Sequence, residues 1–285
     1  MRLAAAAAIA ASAVGLIVAA PATSQGTEGT VPPVSEPDPA ATFELQRARA
    51  KPADAFYYAR REPALNYRFR ASGPLDVALE IVKGRDGKIV RRWVEPRARP
   101  GVKLTRTWNG LNERGRVVPD GKYSFRLAPA GERAKRVESI SFHGYRFPIP
   151  GPHSYREGEG DFGVPRNGGR VHEGKDVWAA CGRTLIAARG GRVARTGYDG
   201  RLFGHYVVID GRGTSIDHFY VHLNSAPSVR EGERVHTGER IGAVGRSGNA
   251  ASIGCQLHFE VWPQGFRRGN PVDPEPSLRA WDGWS

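Results

Sequence analysis

Along most of the chain, apolar positions alternate with polar ones in short runs, and glycine- and proline-rich turns separate the runs. Tyr67-Arg68-Phe69-Arg70 alternates residue by residue, and Val77, Leu79 and Ile81 form one face of a second run. Arg85-Asp86-Gly87-Lys88 carries the Asp-Gly pair of a tight hairpin turn, and the segment from Ile89 to Val94 returns from it. Leu104 to Trp108 follows, then a turn-rich stretch from Asn109 to Gly121, then Tyr123, Phe125 and Leu127 between polar partners. A period of two at this spacing predicts five or six short strands packed as a small β-sandwich over residues 57–131. A charged connector, 132–146, leads to a second β region over 147–275. Its strands are expected at 184–188, 191–196, 205–209, 216–223 and 256–262, between Gly-rich loops. Residues 276–285 read as a tail that packs through Trp281 or Trp284, or not at all. The expected fold class is all-β, in two domains.

Composition narrows this picture. The 36 Gly and 21 Pro among 285 residues argue against long helices, and 40% apolar content is enough for a core. Residues 1–22 have the form of a secretory signal peptide: Met1-Arg2 is positive, Leu3 to Ala20 is uncharged and Ala-rich, and Ala20-Pro21-Ala22 fits a small-x-small cleavage site. The same eighteen residues approach the length of a membrane span, which leaves a retained anchor as the alternative. Residues 23–56, with Pro32-Pro33, Pro37 and Pro39, read as a Pro-rich linker. The expected location is secreted or envelope-associated.

Candidate chemistry sits in the second β region, where all eight histidines follow residue 142. In Gly169-Arg170-Val171-His172-Glu173-Gly174-Lys175-Asp176, an imidazole and a carboxylate lie four residues apart. On an extended strand they would be about 13 Å apart, but Gly174 permits a bend that brings them together, and neutral His with Asp makes a good metal-ligand pair. Cys255-Gln256-Leu257-His258-Phe259-Glu260-Val261-Trp262 alternates, with Gln256, His258 and Glu260 on one face and a core face opposite. A His flanked by hydrogen-bonding groups suits a metal ligand, and equally a satisfied core histidine. In Phe219-Tyr220-Val221-His222-Leu223 the same alternation aligns His218, Tyr220 and His222 on one face.

Together these three segments resemble the lysostaphin-type (LytM-like) zinc metallopeptidases, which hydrolyse peptide bonds of bacterial cell-wall peptidoglycan. The family pattern is His-x-x-x-Asp, then Tyr-x-His-Leu, then His-x-His-Phe-Glu. Residues 187–193 and 238–248 are also similar to that family, and the resemblance covers roughly 147–275. It implies a zinc metallopeptidase domain with His172, Asp176 and His258 as ligands of one Zn2+, His222 as a catalytic histidine and peptidoglycan as the partner. The chain departs from the pattern at Gln256, which stands where the family has a second catalytic histidine. Gln can accept or donate a hydrogen bond but cannot take up a proton near neutral pH. Two readings follow: a zinc metalloendopeptidase, or a catalytically impaired wall-binding or regulatory protein that keeps the fold. In the first β region, Trp108-Asn109-Gly110, Gly115 and Val118-Pro119-Asp120-Gly121-Lys122-Tyr123 resemble the Ig-like domain of flagellar hook-capping proteins, which supports a sandwich there.

The two cysteines fall beside the expected ligands, Cys181 five residues after Asp176 and Cys255 three before His258. In an exported chain an isolated pair is most simply a disulfide, and thiolate ligation of zinc is the rival reading. His143, His153, His205 and His236 lack matching partners, and His218 is given no family role. The net charge of +13 could suggest nucleic acid, but basic residues are spread through both domains without an aromatic-interleaved run. With export in view it reads as attraction to anionic envelope polymers.

Overall fold

The computed structural model describes residues 42–285. The expected signal peptide and the first part of the expected linker lie outside the described residues. The described chain is all-β apart from two short 3-10 turns and one helix.

The first half contains β1 (Glu44–Lys51), β2 (Asp54–Phe56), β3 (Ala64–Arg70), β4 (Leu75–Lys83), β5 (Ile89–Ala98), β6 (Leu104–Thr107), β7 (Gly121–Pro129) and β8 (Lys135–His143). They form a three-stranded sheet, β1-β3-β6, and a five-stranded sheet, β2-β8-β7-β4-β5, with β2 and β8 parallel. Alternation sends Leu65, Tyr67 and Phe69 of β3 inward to meet Leu79 and Ile81 of β4 and Tyr123 and Phe125 of β7 in one shared core around Trp108. The sheets extend beyond the range expected from the sequence at both ends. The expected linker over 23–56 contains β1 and β2, and the expected connector over 132–146 contains β8. In β1 the inward residues after Leu45 are small alanines, Ala48 and Ala50, between exposed charged ones, so the strand has little apolar signal of its own. In β8, charged Lys135 and Arg136 precede Ile140 and Phe142, which complete the core.

The second half contains β9 (His153–Tyr155), β10 (Lys175–Ala179), β11 (Thr184–Ile186), β12 (Gly191–Asp199), β13 (Gly204–Gly211), β14 (Asp217–Leu223), β15 (Arg234–Val235), β16 (Arg240–Ala243), β17 (Gln256–Trp262) and α1 (Glu275–Asp282). Seven strands form one antiparallel sheet in the order β15-β12-β13-β14-β17-β10-β9, and β11 pairs with β16. One face of the sheet packs on a core that includes Val177, Val207, Tyr220, Leu257 and Phe259. The other face carries a small cluster of Val208, Phe219, Val221 and Trp262, beside which the site opens. The expected tail over 276–285 is helical for most of its length. Its Leu278 and Trp281 are buried in the core, with Trp281 stacked on Tyr145 at 4.7 Å.

Arg189 joins the two halves. Its buried guanidinium lies over Tyr57 at 4.5 Å and Tyr145 at 4.9 Å, and it donates to the Gly144 and Arg212 carbonyls.

The face expected for β14 is corrected by a bulge. Register shifts between His205 and Val207 of β13, so Val221 and His222 together oppose Tyr206, and His222 takes φ 65°. His218 and Tyr220 therefore keep to the core side while His222 turns to the opposite face. His218 is fully buried, stacked on Phe259 near Tyr145 and Trp281, with neither ring nitrogen hydrogen-bonded among the described residues. Burial, then the charge of Arg189, pushes its pKa down to about 3. The folded state thus binds fewer protons than the unfolded state between that value and the ordinary histidine value near 6.5, and stability falls as pH falls through this window. His218→Phe is expected to flatten the loss between pH 6 and pH 4 by about 1.4 kcal/mol per pH unit, measured as urea unfolding free energies of both proteins. Parallel curves would show that His218 does not govern the acid limb.

Candidate metal centre and cleft

The site is assembled by strand register. β17 lies between β10 and β14, and Asp176 of β10 and Val221 of β14 both stand opposite His258. Residues 172–176 must cross close over β17 to bring His172 to the same point. A Cβ at Gly174 would collide with the Phe259 carbonyl oxygen and sit 2.8 Å from His258 Cε1, so the crossing requires glycine. The backbone of His172 is held on both sides, its N–H donating to Val164 and its carbonyl accepting from Gly163.

Three buried side chains converge here. His172 Nε2 lies 2.9 Å from His258 Nδ1, His258 Nδ1 lies 3.0 Å from Asp176 Oδ1, and His172 Nε2 lies 3.2 Å from Asp176 Oδ1. The outer nitrogen of each imidazole is already committed. His172 Nδ1 donates to the Asp161 carbonyl at 2.7 Å, and His258 Nε2 donates to Glu260 Oε1 at 2.9 Å. That fixes both tautomers with their free lone pairs pointing at each other and at the carboxylate. Donor atoms sharing one tetrahedral ion at about 2.0–2.1 Å lie about 3.3 Å apart, so this nearly equilateral triangle fits a divalent metal ion. Electrostatics agree. Burial alone would raise the Asp176 pKa, yet protons taken up on the inner nitrogens of His172 and His258 in place of a metal ion would donate to it, which holds it well below the usual carboxylate range. Burial opposes charge on His258, but Asp176 and Glu260 raise its pKa to about 10. The pocket therefore favours positive charge at the point where the inner nitrogens meet the carboxylate, and a metal ion would compete with a proton for His258 Nδ1.

His222 stands beside this triad, its ring 6.0 Å from that of His258. Its Nδ1 donates to the Ser247 carbonyl at 2.9 Å, leaving Nε2 as an acceptor. Burial, then the neighbouring His258, pushes its pKa down to about 4. Gln256 is also buried, and its Oε1 has no hydrogen-bond partner among the described residues. His172, Asp176, His222, Gln256 and His258 line one cleft of about 400 Å³.

Residues 170–274 match peptidase family M23. This segment is an M23 domain. Members of this family are metallopeptidases. The chain is similar to the L-Ala–D-Glu endopeptidase of Bacillus subtilis, with 32% identity over 49% of this chain and 44% of that protein. It is also similar to the peptidoglycan DD-endopeptidase ShyC of Vibrio cholerae, with 35% identity over 40% of this chain and 25% of that protein. It thus spans less than half the length of either relative. Among solved structures, the catalytic domain of lysostaphin from Staphylococcus simulans is 28% identical and aligns over 44% of this chain and 92% of that chain, with a TM-score of 0.38.

Several groups that support the M23 site have no obvious signal in the sequence. Arg156 Nη1 donates to Asp176 Oδ2 at 3.1 Å, reaching it because β9 pairs beside β10. Ser247 fastens the β14 bulge, since its carbonyl holds His222 while its hydroxyl donates to Leu223 and accepts from the His205 N–H. Among the remaining histidines, His143 stacks on Trp284, His153 stacks on Phe147, His205 packs against Tyr198 and His236 stacks on Tyr58, all away from the triad. The cysteines form a Cys181–Cys255 disulfide with Cα atoms 5.2 Å apart. Neither thiolate is available to a metal.

Lys175 is the least expected of these supports. Its side chain is fully buried on the sheet face opposite Asp176, and its Nζ bonds Asp161 and, at 2.7 Å, Glu275 of α1. A geometric acidic cluster of Glu157, Asp161 and Glu275 is thus occupied by the protein's own cation. Burial works against the ammonium, but bonds to Asp161 and Glu275 raise its pKa, so it stays charged. The Asp161 carbonyl accepts from His172, so the chain Glu275–Lys175–Asp161–His172 ties the helix to the triad. Lys175→Met is expected to lower the unfolding free energy by about 1–3 kcal/mol and to speed amide exchange at Gly163 and His172. Urea denaturation and hydrogen exchange measure both, and unchanged exchange would show that the 161–172 loop holds itself.

Proposed function

We propose that the chain is a zinc metalloendopeptidase that hydrolyses peptide bonds of bacterial peptidoglycan, acting as a secreted or envelope-associated protein. The observation that carries the reading is the convergence of three buried lone pairs, on His172, Asp176 and His258, whose outer hydrogen bonds leave them nothing else to bind. Zinc suits two imidazole nitrogens and one carboxylate oxygen, and three protein ligands leave a fourth position for water or substrate. When bound, zinc would supply Lewis acidity and bring the pKa of a coordinated water to about 7.

The chain's own residues supply the rest. His222 is neutral at neutral pH and holds its Nε2 lone pair in the cleft, where it accepts the proton of the attacking water and returns it to the departing amine. Gln256 contributes hydrogen bonds alone, orienting water or the scissile carbonyl. Arg156 and Glu260 keep Asp176 and His258 aimed. Export rests on the form of residues 1–22. Among the described residues no helix is long and apolar enough to cross a membrane.

A second reading, a wall-binding or regulatory protein with impaired catalysis, is favoured by Gln256 itself, since a buried carbonyl without a partner replaces a titratable ring. One set of assays separates the two. Zinc-loaded protein is expected to release new amino groups from purified peptidoglycan, and His172→Ala to abolish both release and zinc retention. Equal release by the two proteins would sink the proposal. His222→Ala is expected to keep its zinc and lose about 10²–10⁴-fold in rate. The comparison of Gln256→His with the parent decides between the readings. A gain below about tenfold supports the enzyme, and a gain of about 10²–10⁴-fold over a nearly inert parent supports the impaired protein.

A further inference from the structure

The outer face of the β1-β3-β6 sheet has no part in the chemistry above, and its charge is unusual. The inner residues of β1 and β3 fill the core, which leaves Arg47, Arg49 and Lys51 of β1 exposed in alternation. Arg47 stands directly opposite Arg68 of β3, and Asn66 stands opposite Arg49. Lys103, just before β6, completes a groove of about 530 Å³. None of these five cations forms an ion pair among the described residues, and Glu44, at the far end of β1, pairs with Arg70 instead. Pairing is common elsewhere in the same half, as in Arg92–Glu80 and Arg126–Asp86. Like charges directly opposite on a sheet are destabilising, so the Arg47–Arg68 pair works against the fold. A bulge at Gln46 adds an amide to the same groove, and Thr105 Oγ1 fixes the Asn66 amide at 2.9 Å.

We propose that this groove binds a linear polyanion carrying phosphate groups. Alternate residues of a strand repeat at about 6.7 Å, so Arg47, Arg49 and Lys51 form a periodic row suited to a repeating polymer more than to one small anion. Opposed guanidiniums present planar forks that can share one phosphate. Tyr67, the aromatic residue of this groove, is buried, so there is no exposed ring on which bases could stack. The ligand is therefore a phosphate polymer without bases, and its binding does not depend on hydrolysis at the cleft. Occupancy would hold the M23 domain against an anionic polymer.

The test uses the full chain and fluorescence anisotropy with labelled poly(glycerol phosphate) over a salt series. Arg47→Ser/Arg68→Ser is expected to bind at least tenfold more weakly at about 0.15 M salt, with the slope of log K against log salt shallower by about two. Arg49→Ser/Lys103→Ser should reproduce the loss. The charge-matched Arg230→Ser/Arg234→Ser, on the other half of the chain, should keep parental affinity. Thermal midpoints of the groove variants should equal or exceed the parent's, because repulsion has been removed. The proposal is overturned by any of five outcomes: no binding by the parent, equal loss in the charge-matched variant, or a lowered midpoint that marks the arginines as structural. Equal affinity for polyglutamate overturns the phosphate assignment, and tighter binding of an oligonucleotide of equal charge overturns the base-free one.

Discussion

The register of β10 on β17 is the constraint on which the rest of the site depends. Because Asp176 lies opposite His258, a carboxylate and an imidazole meet without any long side chain having to reach. Every further member attaches to that pair. Gly174 lets the chain pass close enough for His172 to join, and the β14 bulge turns His222 toward the same opening. A two-residue slip would keep every side chain on its own face yet carry Asp176 about 7 Å away, enough to dissolve the triangle. Ordinary antiparallel pairing thus brings the three side chains together without a dedicated binding loop.

The second half of the chain was the more legible one. Alternation in residues 256–262 placed Gln256, His258 and Glu260 correctly, because β17 is central and regular. The same rule failed at His222. A bulge is a property of the pairing with β13, and nothing in the composition of residues 217–223 announces it. Lys175 and Arg156 were invisible for a related reason, since their partners come from β9, α1 and the loop at Asp161, far apart in sequence. Burial of a lysine beside Asp176 breaks the usual apolar pattern of an interior strand, and that break was the signal available.

In the first half, β3, β4 and β7 were readable from large inward residues, whereas β1 was not. After Leu45 its inward positions are alanines and its outward positions from Arg47 on are cationic, a pattern that on its own favours solvent over a sheet. The sheet forms because β3 supplies the apolar surface and β1 adds backbone hydrogen bonds along its edge. A strand recruited in this way is free to carry charge that a self-sufficient strand could not tolerate.

The Cys181–Cys255 bridge leaves β10 just after its last residue and enters β17 just before its first, so it fastens covalently the same two strands whose register sets the triad. In many metal sites the ion itself is the fastener, and removing it lets the ligand-bearing segments drift apart. Here sulfur carries that duty. With the strands fastened by sulfur, Asp176 and His258 keep facing each other independently of any ion. A reductant acting on the exposed Cys181 would loosen the frame itself. The durability of this arrangement is therefore set by the redox state of its surroundings.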